Sequence, residues 1–432
     1  MSKQNRRSFL KTLGLGATAA TAVSYAPFAI GGSSKKVVIV GGGMGGAVAA
    51  KYIRMMDKSV EVTLIEANKD YFTGFTSNLV IGGSRSIDEI KFGYDGLRGH
   101  GVNVVIDKVT NIDANAKSVK TASGKTFAYD RCIVAPGIDF RYDRIDGYDE
   151  GVASTQIAHA WKAGPQTVML RDQIRSMKKG GTVIISAPPN PFRCPPGPYE
   201  RAAQIAHYLK HNNPTAKILV LDDKEKFSKF GLFTAGWAKH YGYGTDNSMI
   251  EWVKGSAGGK IESVDVAGMT LSGEVDDYQG DVINIIPAQK AGHIAHVAGL
   301  TNKSGWCPIE GKTFESTIHK NIHVIGDAAI QSPLPKSGYA ANSEGKVCAA
   351  AVVALLNGDK APDPSYVNTC YSVIAPGDGI SVAMVYNYAN GKINKVKGSG
   401  GLTPGKFDAK MRAREEQYGY SWFDNITNDT FG

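Results

Sequence analysis

The sequence predicts an α/β protein of two dinucleotide-binding, Rossmann-like domains with a C-terminal α+β domain. Three observations predict it. An apolar run, K-K-V-V-I-V at 35–40, leads into G-G-G-M-G-G at 41–46 and then the helical A-V-A-A-K-Y-I-R. A second run, G-G-T-V-I-I-S-A at 180–187, is separated from the helical Y-E-R-A-A-Q-I-A-H-Y-L-K by a short turn. Two further runs, R-C-I-V-A-P-G at 131–137 and N-I-H-V-I-G-D-A at 321–328, read as strands ending in tight turns. At 432 residues and 42% hydrophobic content, the chain is long enough for two or three cored domains.

Residues 1–34 stand apart from that globule. N-R-R-S-F-L-K at 5–11, followed by a small, weakly apolar stretch broken by Gly14, Gly16 and Pro27, reads as a twin-arginine export signal. It is too short and too weakly apolar for a membrane span. The expected location is the periplasm, and export of a folded chain suggests a cofactor inserted before crossing. Lys3, Arg6, Arg7 and Lys11 carry four of the nine net positive charges, leaving +5 for the remainder, too little to argue for nucleic acid. No other stretch reads as a transmembrane segment.

In the first turn Gly41, Gly43 and Gly46 fit G-x-G-x-x-G: a tight turn, close approach of a pyrophosphate, and helix-to-strand packing. The helix N-terminus behind them favours an anion. The next strand, V-E-V-T-L-I-E at 60–66, ends in Glu66, placed to hold an adenosine ribose. In the G-D turn, Gly326 and Asp327 are expected at a flavin ribityl chain, and the two return strands are those of two-dinucleotide-fold flavoproteins. The apolar helix that follows starts near Ser337, where its N-terminus would stabilise an anionic reduced flavin.

The turn of the second fold is P-P-N-P-F-R-C-P-P-G-P at 188–198. Prolines remove N–H donors and stiffen the loop, so a nicotinamide dinucleotide has little to bind there, and Cys194 stands in its place. A rigid loop suits a redox thiol, and Glu200 is the nearest candidate general base. The five cysteines are Cys132, Cys194, Cys307, Cys348 and Cys370. Cys132 falls in a core strand and Cys348 in a helix, so the partner of Cys194 lies between Cys307 and Cys370. No C-x-x-C-H occurs, so the chain attaches no c-type haem, and the wide cysteine spacing speaks against structural zinc.

Across nearly its whole length the sequence resembles the flavoprotein subunit of flavocytochrome c sulfide dehydrogenase, a relative of the sulfide:quinone oxidoreductases. The resemblance is carried by F-R-C-P-P-G-P-Y-E-R-A, H-A-W-K-A-G at 159–164, T-F-E-S at 313–316, H-V-I-G-D-A, P-K-S-G-Y, N-T-C-Y-S and W-F-D-N-I-T-N-D-T-F-G. It implies the FAD-dependent disulfide oxidoreductase fold, a redox disulfide between Cys194 and Cys370, hydrosulfide as substrate, and a c-type cytochrome subunit as partner in a heterodimer. It also implies FAD attachment to a cysteine in a segment matching D-Y-F-T-G-F at 70–75, where this sequence has Gly74, so noncovalent FAD is expected. The expected reaction is oxidation of sulfide to sulfane sulfur or polysulfide. The alternatives are a sulfide:quinone oxidoreductase, whose membrane-binding C-terminus residues 406–432 lack the aliphatics to supply, and a non-catalytic flavoprotein or sulfur carrier. The expected organisation is an FAD domain over 35–150 and 291–360, a second Rossmann-like domain over 151–290, and a C-terminal domain over 361–432.

Overall fold

The computed structural model describes residues 34–432; the export signal read from residues 1–34 lies almost wholly outside them. The strand Lys36–Val40 sits in the middle of a five-stranded parallel sheet. Glu61–Glu66 and Asn103–Ile106 follow it on one side, Arg131–Val134 and Ile322–Val324 on the other. Four of the five residues of Lys36–Val40 are buried, as the near-continuous apolar run of a strand covered on both faces requires. The helix Met44–Met56 packs on the long helix Gly338–Leu356, so the glycine turn and the Ser337 cap meet at the carboxyl ends of the strands.

A second parallel sheet runs in the order Ile250–Val253, Lys217–Asp222, Thr182–Ala187, Val282–Ile285. Its loop of prolines leads into the helix Gly197–Asn212. The C-terminal part is antiparallel: Ser365–Ala375 and Asp378–Ala389 turn back on each other at Pro376-Gly377, and the helix Ala409–Phe431 packs on them. The architecture is therefore the α/β fold with a C-terminal α+β element that the sequence predicts.

The terminal helix works through its aromatic face. Trp422 meets Phe75 edge-on at 5.0 Å, and Phe431 stacks on Phe92 at 5.3 Å. These contacts carry the end of the chain back onto the first sheet's loops. No helix among the described residues is long and apolar enough to cross a membrane.

Candidate active site

One cavity of about 510 Å³ runs from the glycine turn of the first sheet to the cysteine loop of the second. Gly41, Gly43, Glu66, Gly74, Cys194, Glu200, Gly326, Asp327, Ser337 and Cys370 all line it. Gly46 does not; it acts from behind the wall.

At the glycine end the backbone itself is the binding surface. Gly41 has φ +99°, and a Cβ there would lie 2.3 Å from the Ala135 carbonyl oxygen. A Cβ on Gly46 would come within 1.9 Å of the Gly41 oxygen, so helix and turn approach as closely as only glycine permits. Gly43 is the N-cap and provides no side-chain acceptor, which leaves the first N–H groups of the helix for an anion. Glu66 accepts from Gly42 N at 2.7 Å and from Asn68 N at 2.9 Å. It braces the turn as well as facing the cavity, and its remaining lone pairs could accept from ribose hydroxyls.

At the middle of the cavity Asp327 is half-buried, and its shielded Oδ1 has no partner among the described residues. Burial pushes its carboxyl above the usual aspartate range, while Arg193 and Lys336 oppose that shift. An orphan acceptor on a cavity wall fits the hydroxylated chain of a flavin. Ser337 caps the long helix by accepting from Ala340 N at 3.1 Å and donates to Asn368 Oδ1 at 2.5 Å. The residues present thus fit FAD: glycine backbone and helix dipole at one end, a free carboxylate oxygen and a second helix N-terminus at the other.

The cysteine end is assembled from three distant segments. Cys194 adopts a left-handed backbone, φ +55°, held because its N–H donates to Lys336 O at 2.8 Å and its carbonyl accepts from Gly197 N at 2.8 Å. Arg193 Nη2 donates to the Trp161 carbonyl and Arg193 N to Gln289 Oε1, fixing the loop on both sides. Cys370 arrives on the strand Ser365–Ala375. Cys194 and Cys370 are both half-buried free thiols, and burial, with Cys370 adding to it, raises the Cys194 thiol to about 12. Cys307, the other candidate partner, is fully buried in a short strand and does not line the cavity.

Glu200 sits in the first turn of the helix Gly197–Asn212. Its Oε1 accepts from Val373 N at 2.9 Å and its Oε2 from Asn78 Nδ2 at 2.9 Å. Burial raises its carboxyl above the usual glutamate value, and these two bonds, with Lys229 and Arg201, pull the other way. A base-strength carboxylate beside two thiols is suited to taking a proton.

Sequence reading missed the groups that hold this end together. Arg201 is buried and donates to Asn78 Oδ1, Asn284 Oδ1 and the carbonyls of His159 and Ala160. The H-A-W-K stretch is thereby clamped as a wall. Lys229 donates to the Cys370 carbonyl from an unrelated helix start. Nothing local in the sequence marks either residue; only their burial as unusual cations does.

The second sheet carries an acid at the corresponding strand end. Asp222 ends the strand beside Thr182–Ala187, in register with Ala187. It is fully buried and consumed by Tyr199 OH at 2.6 Å, Trp252 Nε1 at 3.0 Å and Lys224 Nζ at 2.5 Å.

Residues 167–287 match the family described as sulfide dehydrogenase (flavocytochrome c) flavoprotein chain, central. Residues 362–431 match flavocytochrome c sulphide dehydrogenase, flavin-binding, and residues 35–174 match pyridine nucleotide-disulphide oxidoreductase. The mitochondrial sulfide:quinone oxidoreductase of Mus musculus is 22% identical over 69% of this chain and 65% of its own length. The sulfide-quinone reductase of Aquifex aeolicus is 26% identical over 68% of each. The chain therefore spans about two thirds of these relatives. Among solved structures, the sulfide:quinone oxidoreductase of Aquifex aeolicus superposes with TM-score 0.70 at 17% identity, over 91% of this chain and 92% of that one.

Proposed function

The chain belongs to the flavoproteins related to sulfide dehydrogenase and sulfide:quinone oxidoreductase, and from that premise we propose that it oxidises hydrosulfide at Cys194 and Cys370 and delivers the electrons through FAD to a c-type cytochrome. The observation that carries the reading is the convergence of two thiols and a half-buried carboxylate on one cavity that the glycine turn also lines.

In the working cycle Cys194 and Cys370 form a disulfide. Hydrosulfide attacks one sulfur, making a new sulfur–sulfur bond to it as the disulfide breaks and the other cysteine leaves as thiolate. Glu200 takes the proton that H2S surrenders, and its hydrogen bonds from Val373 and Asn78 stabilise the ionised form that can do so. A second hydrosulfide attacks the outer persulfide sulfur and carries it off as polysulfide, leaving both cysteines reduced, and the disulfide re-forms as the pair surrenders two electrons. FAD, when bound, supplies an acceptor for two electrons that returns them singly. Gly41, Gly43 and the helix behind them would hold its pyrophosphate, Glu66 its ribose, Asp327 its ribityl chain and the Ser337-capped helix its pyrimidine edge. Gly74 offers no side-chain nucleophile, so FAD is held noncovalently and acid precipitation releases it into the supernatant. The N-R-R-S-F-L-K stretch, read as a twin-arginine signal, supports a periplasmic location with a separate cytochrome subunit as acceptor.

The test is an anaerobic sulfide titration of the flavin-loaded chain followed by visible absorbance, in wild type and in Cys194→Ser and Cys370→Ser. Bleaching in wild type that both variants lose supports the reading. Wild-type flavin that stays oxidised, or variants that bleach equally well, overturns it in favour of a binding or sulfur-carrier role. Adding cytochrome c or a soluble quinone to the reduced protein then decides the acceptor.

A further inference from the structure

Lys229 precedes the helix Phe230–Tyr241 with a left-handed backbone, φ +60°. Its side chain is buried, and its Nζ donates to the Cys370 carbonyl at 3.0 Å and to Ser372 Oγ at 3.2 Å. One residue further along the same strand, Val373 N donates to Glu200 Oε1, and the Val373 carbonyl accepts from Gln204 Nε2 at 2.6 Å. The strand that brings Cys370 to the cavity is thus gripped by an ammonium and a carboxylate from two helices of the second sheet.

A buried ammonium is costly unless an anion offsets it. A carbonyl and a hydroxyl satisfy two of its three N–H donors but neutralise no charge. The charged and titratable groups that face Lys229 are Cys370, Glu200, Cys194 and, more distantly, Glu415, and burial pulls its ammonium below the usual lysine value against their influence. Arg193 and Arg201 serve the other side of the same site. The anions that can answer the Lys229 charge are therefore the Glu200 carboxylate and the thiolates themselves, with the weaker contribution of Glu415.

We propose that Lys229 is a positioning residue for the cysteine pair, holding the Cys370 strand in place and presenting a fixed positive charge to the thiolate released when the pair opens. This rests on the sulfide-oxidation reading, in which a thiolate leaves as the disulfide breaks. The charge favours that leaving thiolate and so the forward attack.

The experiment uses flavin-loaded protein reduced with dithiothreitol, freed of it, and alkylated with iodoacetamide across a pH series. Peptide mapping assigns the modified cysteines in wild type, Lys229→Gln, Lys229→Arg and Ser372→Ala. Lys229→Gln is expected to raise the alkylation midpoint of the affected thiol by roughly one pH unit, about tenfold slower at neutral pH. Lys229→Arg keeps the charge and the midpoint; Ser372→Ala loses one hydrogen bond and also keeps the midpoint. An unmoved midpoint in folded Lys229→Gln, or an equal shift in Ser372→Ala, overturns the proposal. If Lys229→Gln does not fold, Lys229→Met, which removes the charge and keeps the stem, takes its place: a raised midpoint supports the proposal and an unmoved one sinks it. Sulfide takes no part in this measurement, so failure of the sulfide reading shows separately, as wild-type flavin that sulfide does not bleach.

Discussion

The turn after Val40 and the turn after Ala187 leave equivalent places on two parallel sheets, each running into a helix, yet they are built from opposite chemistry. The first is glycine: its backbone reaches positions where a Cβ would overlap carbonyl oxygens, and it leaves N–H groups for an anion. The second is proline: Pro188, Pro189, Pro191, Pro195 and Pro196 offer no donors, and a left-handed cysteine replaces the anion cradle. The neighbouring acids diverge in the same way. Glu66 faces the cavity, whereas Asp222 is spent on Tyr199, Trp252 and Lys224. Topology thus supplies the place beside the sheet, and donor supply decides whether that place holds a phosphate or a thiol.

The contrast is broken most directly with a reduced nicotinamide. If the second turn has lost its dinucleotide site, NADH and NADPH bleach the flavin at least about 10³-fold more slowly than sulfide in anaerobic stopped flow; comparable rates would restore that site. Glu200→Gln is expected to slow sulfide bleaching on the order of 10²-fold. Because burial raises the Glu200 carboxyl, the wild-type rate climbs with pH as Glu200 ionises, beyond the limb that sulfide's own ionisation produces. The variant lacks that added climb.

The glycines of the two turns are separable. Gly46→Ala forces a Cβ into the Gly41 carbonyl and lowers flavin content about tenfold in the purified protein. Gly197→Ala meets the Trp161 ring at 2.5 Å and the Cys194 sulfur at 3.2 Å. It keeps its flavin and loses sulfide reactivity severalfold, and a variant that instead lost flavin would join the two turns into one functional unit. The acids separate too: Asp222→Ala leaves Lys224 buried beside an empty place and costs about 3 kcal/mol in denaturant unfolding. Glu66→Ala weakens FAD binding with a smaller loss of stability.

The smallest effect is a pH slope. Glu344, buried in the long helix, accepts from Gly326 N at 2.7 Å, and burial raises its carboxyl to about 8. The folded state then holds a proton that the unfolded chain releases near the ordinary glutamate value. Its contribution to stability is complete below that value and is lost as pH rises towards about 8. Glu344→Gln flattens that part of the thermal-melting profile, and an unchanged slope would remove Glu344 as its source.

Much of this molecule is determined along the chain. Continuous apolar runs dictate buried parallel strands, glycine spacing dictates the first turn, and the proline loop marks a thiol where a pyrophosphate would otherwise bind. Ser337 is readable as a helix start because N-capping is local chemistry. The three-dimensional fold alone decided what converges on the cysteines. From the residues themselves Cys307 and Cys370 stood level; folding buries Cys307 in a short strand and brings Cys370 to the cavity that Cys194 lines. Arg201, Lys229 and Asn78 carry no local signature, because their function is to satisfy groups supplied by segments far away in the chain. Local pattern records the conformation a segment prefers, whereas partners for buried charge are chosen only when distant segments pack and exclude water.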